Sequence, residues 1–219
     1  MYKQAYDLAA LNSKLIPKND YNEFMLDLVL RHTALDFQLF CKVQAFRLSY
    51  PDVYVHSINV ARSAIDVGYL LMADTYILAF ASVLHDIGKM TIPRDILYKA
   101  GKLNNSEIEI MNKHPENGYS LLSNISSIKK EISNIVLCHH VHVDGSGYPE
   151  EMLKFPISLE NRVVTACDMY VALREARSYK NGSSHTAAIA LLRGSLSPLV
   201  DQSIINILDM QYKTQLEAA

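Results

Sequence analysis

Apolar residues in this chain recur mostly at intervals of three and four, and alternating runs of β-branched residues are nearly absent. That spacing restricts the backbone to helices, each burying one stripe. The expected fold class is all-α with little or no sheet. Residues 21–49 read as one long amphipathic helix. The break Ser49-Tyr50-Pro51-Asp52 then opens a second helix through His56 to about Leu71, since proline suits a first turn and not a helix interior. Asp74 or Thr75 can cap a third that runs to His85, with Gly88 placed to end it and His85 and Asp86 on its last turn. Beyond the non-helical Thr91-Ile92-Pro93, Asn104, Asn105 or Ser106 caps a helix carrying Ile108, Met111 and His114. Further helices are predicted over 125–140, 159–174, 184–192 and 200–212, with Gly194 closing the third of these.

With 219 residues, 49% of them hydrophobic, and a net charge of −2, the chain can bury one substantial core. The one expected boundary, near Ser49, separates an N-terminal helical segment, 1–48, from a domain over 49–219. Lys3, Asp7 and Lys14 interrupt the first residues, so neither a signal peptide nor a membrane span is expected and the cytoplasm is the default location. The near-neutral charge balance offers no basic stripe for duplex nucleic acid. Cys41, Cys138 and Cys167 lack CxxC spacing, which argues against a disulfide framework or a thiolate zinc site, and each reads as a small buried apolar residue.

The chemistry sits at helix ends. His85-Asp86 continues as Ile87-Gly88-Lys89 and is answered by His139-His140 and the turn Asp144-Gly145-Ser146-Gly147-Tyr148-Pro149. His56, His114 and Asp168 lie singly between apolar stretches. Imidazole and carboxylate donors suit iron, manganese, zinc or nickel, and a helical bundle assembles a metal site from side chains that project inward on facing helices. With Asp86 as a bridge, His56, His85 and Asp168 can hold one ion and His114, His139 and His140 another. Two divalent ions about 3.5–4 Å apart activate water and stabilise charge on a phosphoryl group. Lys89 is placed to approach a phosphate oxygen or leaving group as a cation. Tyr148 can stack on a base or hydrogen-bond a phosphate, and Gly145 and Gly147 keep that approach open. His32 and His185, isolated in the pattern, read as surface or satisfied core residues, and His142 as lining the turn.

These motifs, in this order, resemble the HD-GYP phosphodiesterases over roughly residues 49–207. Supporting positions are Ile92-Pro93, Lys99-Ala100-Gly101-Lys102-Leu103, His114-Pro115, Gly118, Pro156, Arg162 and Arg177-Ser178-Tyr179-Lys180. The resemblance implies an HD-type helical fold and a site of two or three metals, often iron or manganese, that hydrolyses cyclic di-GMP to linear pGpG or GMP. It carries metal-ligand roles onto His56, His85, Asp86, His114, His139, His140 and Asp168. Substrate contacts fall on Lys89, Tyr148, Arg177 and Lys180.

The chain departs from the pattern at Val141 and His142, where the family usually has Glu and often a cation, and at Val171, where three-metal members carry a carboxylate. A second such carboxylate is matched by Asp52, one helical turn before His56. Two metals are therefore expected. The departures also motivate a second reading, a domain that binds a cyclic dinucleotide or a signalling protein without turnover. A third reading, another HD-type hydrolase acting on other nucleotides, is opposed by Gly147-Tyr148-Pro149. The stripe over 21–49 packs on the domain itself or against a partner helix, so a homodimer through the N-terminal helices is an open expectation.

Overall fold

The computed structural model describes residues 18–175 and 182–217. Eleven α-helices are named here: α1 Lys18–Leu35, α2 Phe37–Ser49, α3 Pro51–Leu71, α4 Thr75–Leu84, α5 Arg94–Leu97, α6 Asn105–Met111, α7 His114–Leu122, α8 Lys130–Cys138, α9 Leu159–Arg174, α10 His185–Arg193 and α11 Gln202–Glu217. Short 3-10 turns occupy Ile87–Thr91, Glu150–Met152 and Ser197–Leu199. Among the described residues there is no strand, and a single bridge pairs Val141 with Gly147. The all-α expectation holds.

Helix α4 forms the axis of the bundle. Asp74 accepts a hydrogen bond from the Ile77 amide and so starts the helix, and every residue from Ile77 to Leu84 is buried. A helix apolar on all sides must be enclosed, and α1, α3, α8 and α9 surround it. Pro51 occupies the first turn of α3, whose Val60, Ala61, Ala64 and Ile65 turn inward on α4 at the spacing of one helical face. Met25, Leu26 and Val29 of α1 join the same core.

Several local expectations are corrected by chemistry the apolar pattern does not report. Residues 21–49 form two helices, because the Asp36 carboxylate caps a new start by accepting from the Gln38 and Leu39 amides. The third helix ends at Leu84; Asp86 lies beyond it and Gly88 sits inside the following 3-10 turn rather than ending a helix. Asn104 and Glu107 form a capping box for α6, but that helix stops at Met111 and His114 begins α7, with Pro115 in the first turn. The helix ending in the histidine pair starts at Lys130, not near Ile125. Cys138 and Cys167 are buried, whereas Cys41 is exposed.

His185 is a satisfied core residue: it is bonded to the Tyr170 hydroxyl and Asp209 and stacked on Tyr212, tying α9, α10 and α11 together. His32 is likewise buried, against Tyr76 and Phe80.

Candidate metal centre

The helices converge at one end of α4, and there the chain places seven polar side chains that a protein interior would otherwise reject. His85 and His139 are fully buried, and Asp86 and His114 are 1% exposed. His56 comes from the second turn of α3, His85 from the end of α4, His114 from the start of α7, His139 and His140 from the end of α8, and Asp168 from the middle of α9. The ligand atoms of His56, His85 and Asp168 lie within 4.8 Å of one another, as do those of His114, His139 and His140, and those of His85, Asp86 and His139. Asp86 stands between the first two groups. One carboxylate oxygen is 3.3 Å from His85 Nε2 and the other is 3.3 Å from His114 Nε2 and 3.9 Å from His139 Nε2.

The orientation of the rings follows from where each histidine sits. His85, His114 and His139 each donate Nδ1–H to a main-chain carbonyl three residues back, Ser82, Met111 and Val136, at 2.7 to 2.8 Å. Those carbonyls belong to the ends of α4, α6 and α8, where the helix supplies no amide partner. With Nδ1 committed, each ring turns the lone pair of Nε2 into the cluster.

That arrangement calls for a cation. His114 Nε2 and His139 Nε2 face each other at 3.2 Å with two lone pairs. His85 Nε2 and Asp86 Oδ1 are buried without a hydrogen-bond partner among the described residues. Unpaired buried polar atoms cost free energy that coordination would recover. Burial also keeps three of the imidazoles neutral, as ligands require, holding His114 at about 3, His140 at about 4 and His139 well below its ordinary value. Burial alone would raise the Asp86 carboxyl; Lys89, whose Nζ is 2.6 Å from Oδ2, together with His85 outweighs it and keeps the carboxylate ionised. The residues present fit a pair of divalent transition-metal ions.

The turn after α8 closes over this cluster. Tyr148 lays its ring on His140, with centroids 4.6 Å apart, and its amide donates to the His140 carbonyl at 3.1 Å. Gly147, at φ +107°, makes that approach possible, because a Cβ there would overlap the same carbonyl. Gly145 also takes a positive φ, +81°, at the exposed tip. The departures at Val141 and His142 are built into the turn: Val141 pairs with Gly147, and His142 Nδ1 bonds to Ser146 Oγ at 2.9 Å while Ser146 donates to Asp144 at 2.7 Å. Asp52 turns away to the surface and accepts from the Tyr98 hydroxyl at 2.9 Å. Arg177 and Lys180 lie outside the described residues.

Three supporting residues carry no signal in the motif pattern. Thr165 Oγ1 donates to the His139 carbonyl at 2.8 Å and Asn161 Nδ2 to the Cys138 carbonyl at 3.1 Å, so α9 clamps the end of α8. Glu175 Oε2 accepts from His56 Nδ1 at 2.7 Å. The position of Glu175, seven residues or two helical turns after Asp168, is a trace a sequence reading could have used.

Residues 37–204 match the HD domain family. The chain belongs to the HD-domain family. Among curated relatives, it is 38% identical over 142 residues to the cyclic di-GMP phosphodiesterase response regulator RpfG of Xanthomonas campestris, covering 64% of this chain and 37% of that protein. It is 34% identical over 158 residues to the cyclic di-GMP phosphodiesterase PA4108 of Pseudomonas aeruginosa, covering 69% and 38%. A 3'3'-cGAMP-specific phosphodiesterase 2 of Vibrio cholerae is 41% identical over 105 residues, covering 46% and 20%. The chain thus spans under two fifths of the length of these relatives. The HD-domain fold is shared with Bd1817, an HDG"Y"P protein of Bdellovibrio bacteriovorus, at a TM-score of 0.62 and 17% identity over 90% of this chain and 63% of that one. The resemblance to HD-GYP phosphodiesterases read from the motifs agrees with these findings. Among the described residues no helix of this HD domain is long and apolar enough to cross a membrane.

Proposed function

We propose that this HD domain is a metal-dependent phosphodiesterase that hydrolyses a cyclic dinucleotide, cyclic di-GMP foremost, to linear pGpG or GMP. The observation that carries the reading is the buried Asp86 carboxylate set between two groups of three ligand atoms, each group compact enough to hold an ion. His56, His85 and Asp168 would hold one divalent cation and His114, His139 and His140 the other, with Asp86 shared and iron or manganese the expected metals. Such a pair of ions, when bound, supplies Lewis acidity towards a phosphoryl group and makes water a competent nucleophile at neutral pH.

The chain's own residues do the rest. Lys89 keeps its ammonium on Asp86 while 22% of its side chain remains exposed, so it faces both the cluster and an arriving phosphate. It neutralises charge that grows on the phosphoryl oxygens or the leaving group. Tyr148 walls the His140 side and offers a ring face and hydroxyl to the nucleotide, with Gly145 and Gly147 keeping the turn low. Arg177 and Lys180 would grip the second phosphate as a planar fork and a point charge. No motif residue reads the base edges unambiguously, and relatives are named for both cyclic di-GMP and 3'3'-cGAMP. The mixed guanine-adenine dinucleotide is therefore the alternative substrate. The same reading places the protein in the cytoplasm, with α1 and α2 available to a second copy or a signalling partner.

The test uses anaerobically purified protein loaded with manganese or ferrous iron and incubated with cyclic di-GMP and 3'3'-cGAMP, with products separated by ion exchange. Linear dinucleotide or mononucleotide, abolished by chelation, is expected. Tight binding without any linear product would replace the enzyme by a cyclic-dinucleotide-binding module.

A further inference from the structure

Among the imidazoles of the cluster whose Nδ1 partner the structure shows, His56 is the exception. His85, His114 and His139 use a main-chain carbonyl left over at a helix end. His56 lies inside α3, six residues into a helix of twenty-one, where the preceding carbonyls are already taken. The Val53 carbonyl three residues back accepts within the helix and also from Ser57 Oγ at 3.1 Å. A ring in that place needs an acceptor from another element.

Glu175, the residue that follows α9, supplies it. Its Oε2 is 2.7 Å from His56 Nδ1, and its Oε1 accepts from Asn59 Nδ2 at 2.9 Å. Asn59 stands three residues after His56 on the same face of α3, so the helix that carries the histidine also fixes the carboxylate that holds it. On the other side of the ring, Nε2 points at Asp168 Oδ1, 2.9 Å away. The imidazole is therefore held between one carboxylate in the ligand group and one outside it.

We infer that Glu175 is a positioning residue that makes the two metal sites unequal, an inference that rests on the dinuclear reading above. By accepting the Nδ1 proton it commits the Nε2 lone pair of His56 to the His56, His85, Asp168 ion. A carboxylate accepts more strongly than a peptide carbonyl and makes the ring a better donor to the metal. The opposite group, His114, His139 and His140, has no such support among the bonds the structure shows. Loss of Glu175 should therefore loosen one ion and spare its neighbour, by the roughly 10–100-fold that removal of an outer partner usually costs.

The experiment titrates manganese into full-length wild type, Glu175→Ala and Glu175→Gln, following metal content after gel filtration and the electron paramagnetic resonance of the bound ion. Wild type is expected to fill two sites and show the exchange-coupled spectrum of a pair. Glu175→Ala should keep one tight ion with an uncoupled spectrum and bind the second about 10–100-fold more weakly. Glu175→Gln, whose amide oxygen still accepts from Nδ1, should fall between them and serves if the alanine variant does not fold. Wild-type affinity for both ions in both variants, or equal weakening at both sites, would overturn the inference. Failure of wild type itself to bind a pair would overturn the dinuclear reading, a result visible before any variant is compared.

Discussion

Gly88 is pressed against the main chain of His114: a Cβ built at residue 88 would overlap the His114 carbonyl and come within 2.5 Å of the Gly118 amide nitrogen. The 3-10 turn after Asp86 therefore touches the start of α7 backbone to backbone, which brings Asp86 Oδ1 to 3.3 Å from His114 Nε2. In Asp86-Ile87-Gly88-Lys89 the glycine is needed for the proximity of Asp86 and His114, not for ending a helix.

Gly88→Ala should for this reason damage the metal centre and the fold together. A methyl group against rigid backbone costs about 1–3 kcal/mol when neighbours can shift, and the shift available here carries His114 away from His139 and Asp86. A lower midpoint in urea together with reduced manganese content is expected. A variant with wild-type metal content would show that α7 can retreat without moving its histidine.

Lys89→Ala removes the cation that lies 2.6 Å from Asp86. If that ammonium acts on the phosphoryl group, turnover should fall by about 10²–10³-fold, the scale seen when one preorganised donor is lost at a transition state. Metal content should fall far less than turnover, because Lys89 belongs to neither group of three and a bound cation would itself keep Asp86 ionised. Steady-state kinetics beside metal analysis separates the two effects, and unchanged kcat would remove Lys89 from the chemistry.

The stability of the metal-free protein should peak near pH 6.5, the ordinary histidine value. Burial holds His114 at about 3 and His140 at about 4, and His139 is also lowered, so these rings stay neutral when folded and take up protons when unfolded. Below pH 6.5 the unfolded chain binds more protons, and stability falls as pH falls towards 4. His56 has the opposite sign: burial opposes its charge, but the bonds to Asp168 and Glu175 win and raise it to about 9. Its contribution is complete below pH 6.5 and is lost as pH rises through 9. Urea unfolding in chelator across this range checks both limbs, and a flat acid limb would contradict the burial of the neutral rings.

Cys41 should be the one thiol that reacts with iodoacetamide in the folded protein near pH 8. It is exposed, whereas Cys138 and Cys167 are buried, and burial pushes the Cys138 thiol to about 11 and raises that of Cys167. Mass spectrometry of the alkylated chain should find one label, rising to three in urea. Rapid labelling at Cys167 would show that α9 opens.

Motif spacing named all seven residues of the cluster, and it divided six of them into the two groups of three that the helices bring together around Asp86. It succeeded there because histidine and aspartate between apolar stretches leave few other uses for such costly side chains. Element boundaries were less legible. Asp36 interrupts a stretch whose apolar period continues across it, and His114 follows an apolar run that belongs to a different helix, since a side-chain cap overrides periodicity without changing it.

By itself the sequence determined the helical class, the enclosed character of α4 and the identity of the residues that meet around Asp86, because each is encoded in local spacing and in side-chain chemistry. Only the tertiary structure decided how those residues are held. Glu175 reaches His56 across 119 positions, Thr165 reaches the His139 carbonyl across 26, and the Gly88 contact with His114 joins backbone to backbone. Such partners have no fixed spacing along the chain. Folding chooses them, because every buried donor and acceptor must find a partner among whatever elements pack beside it.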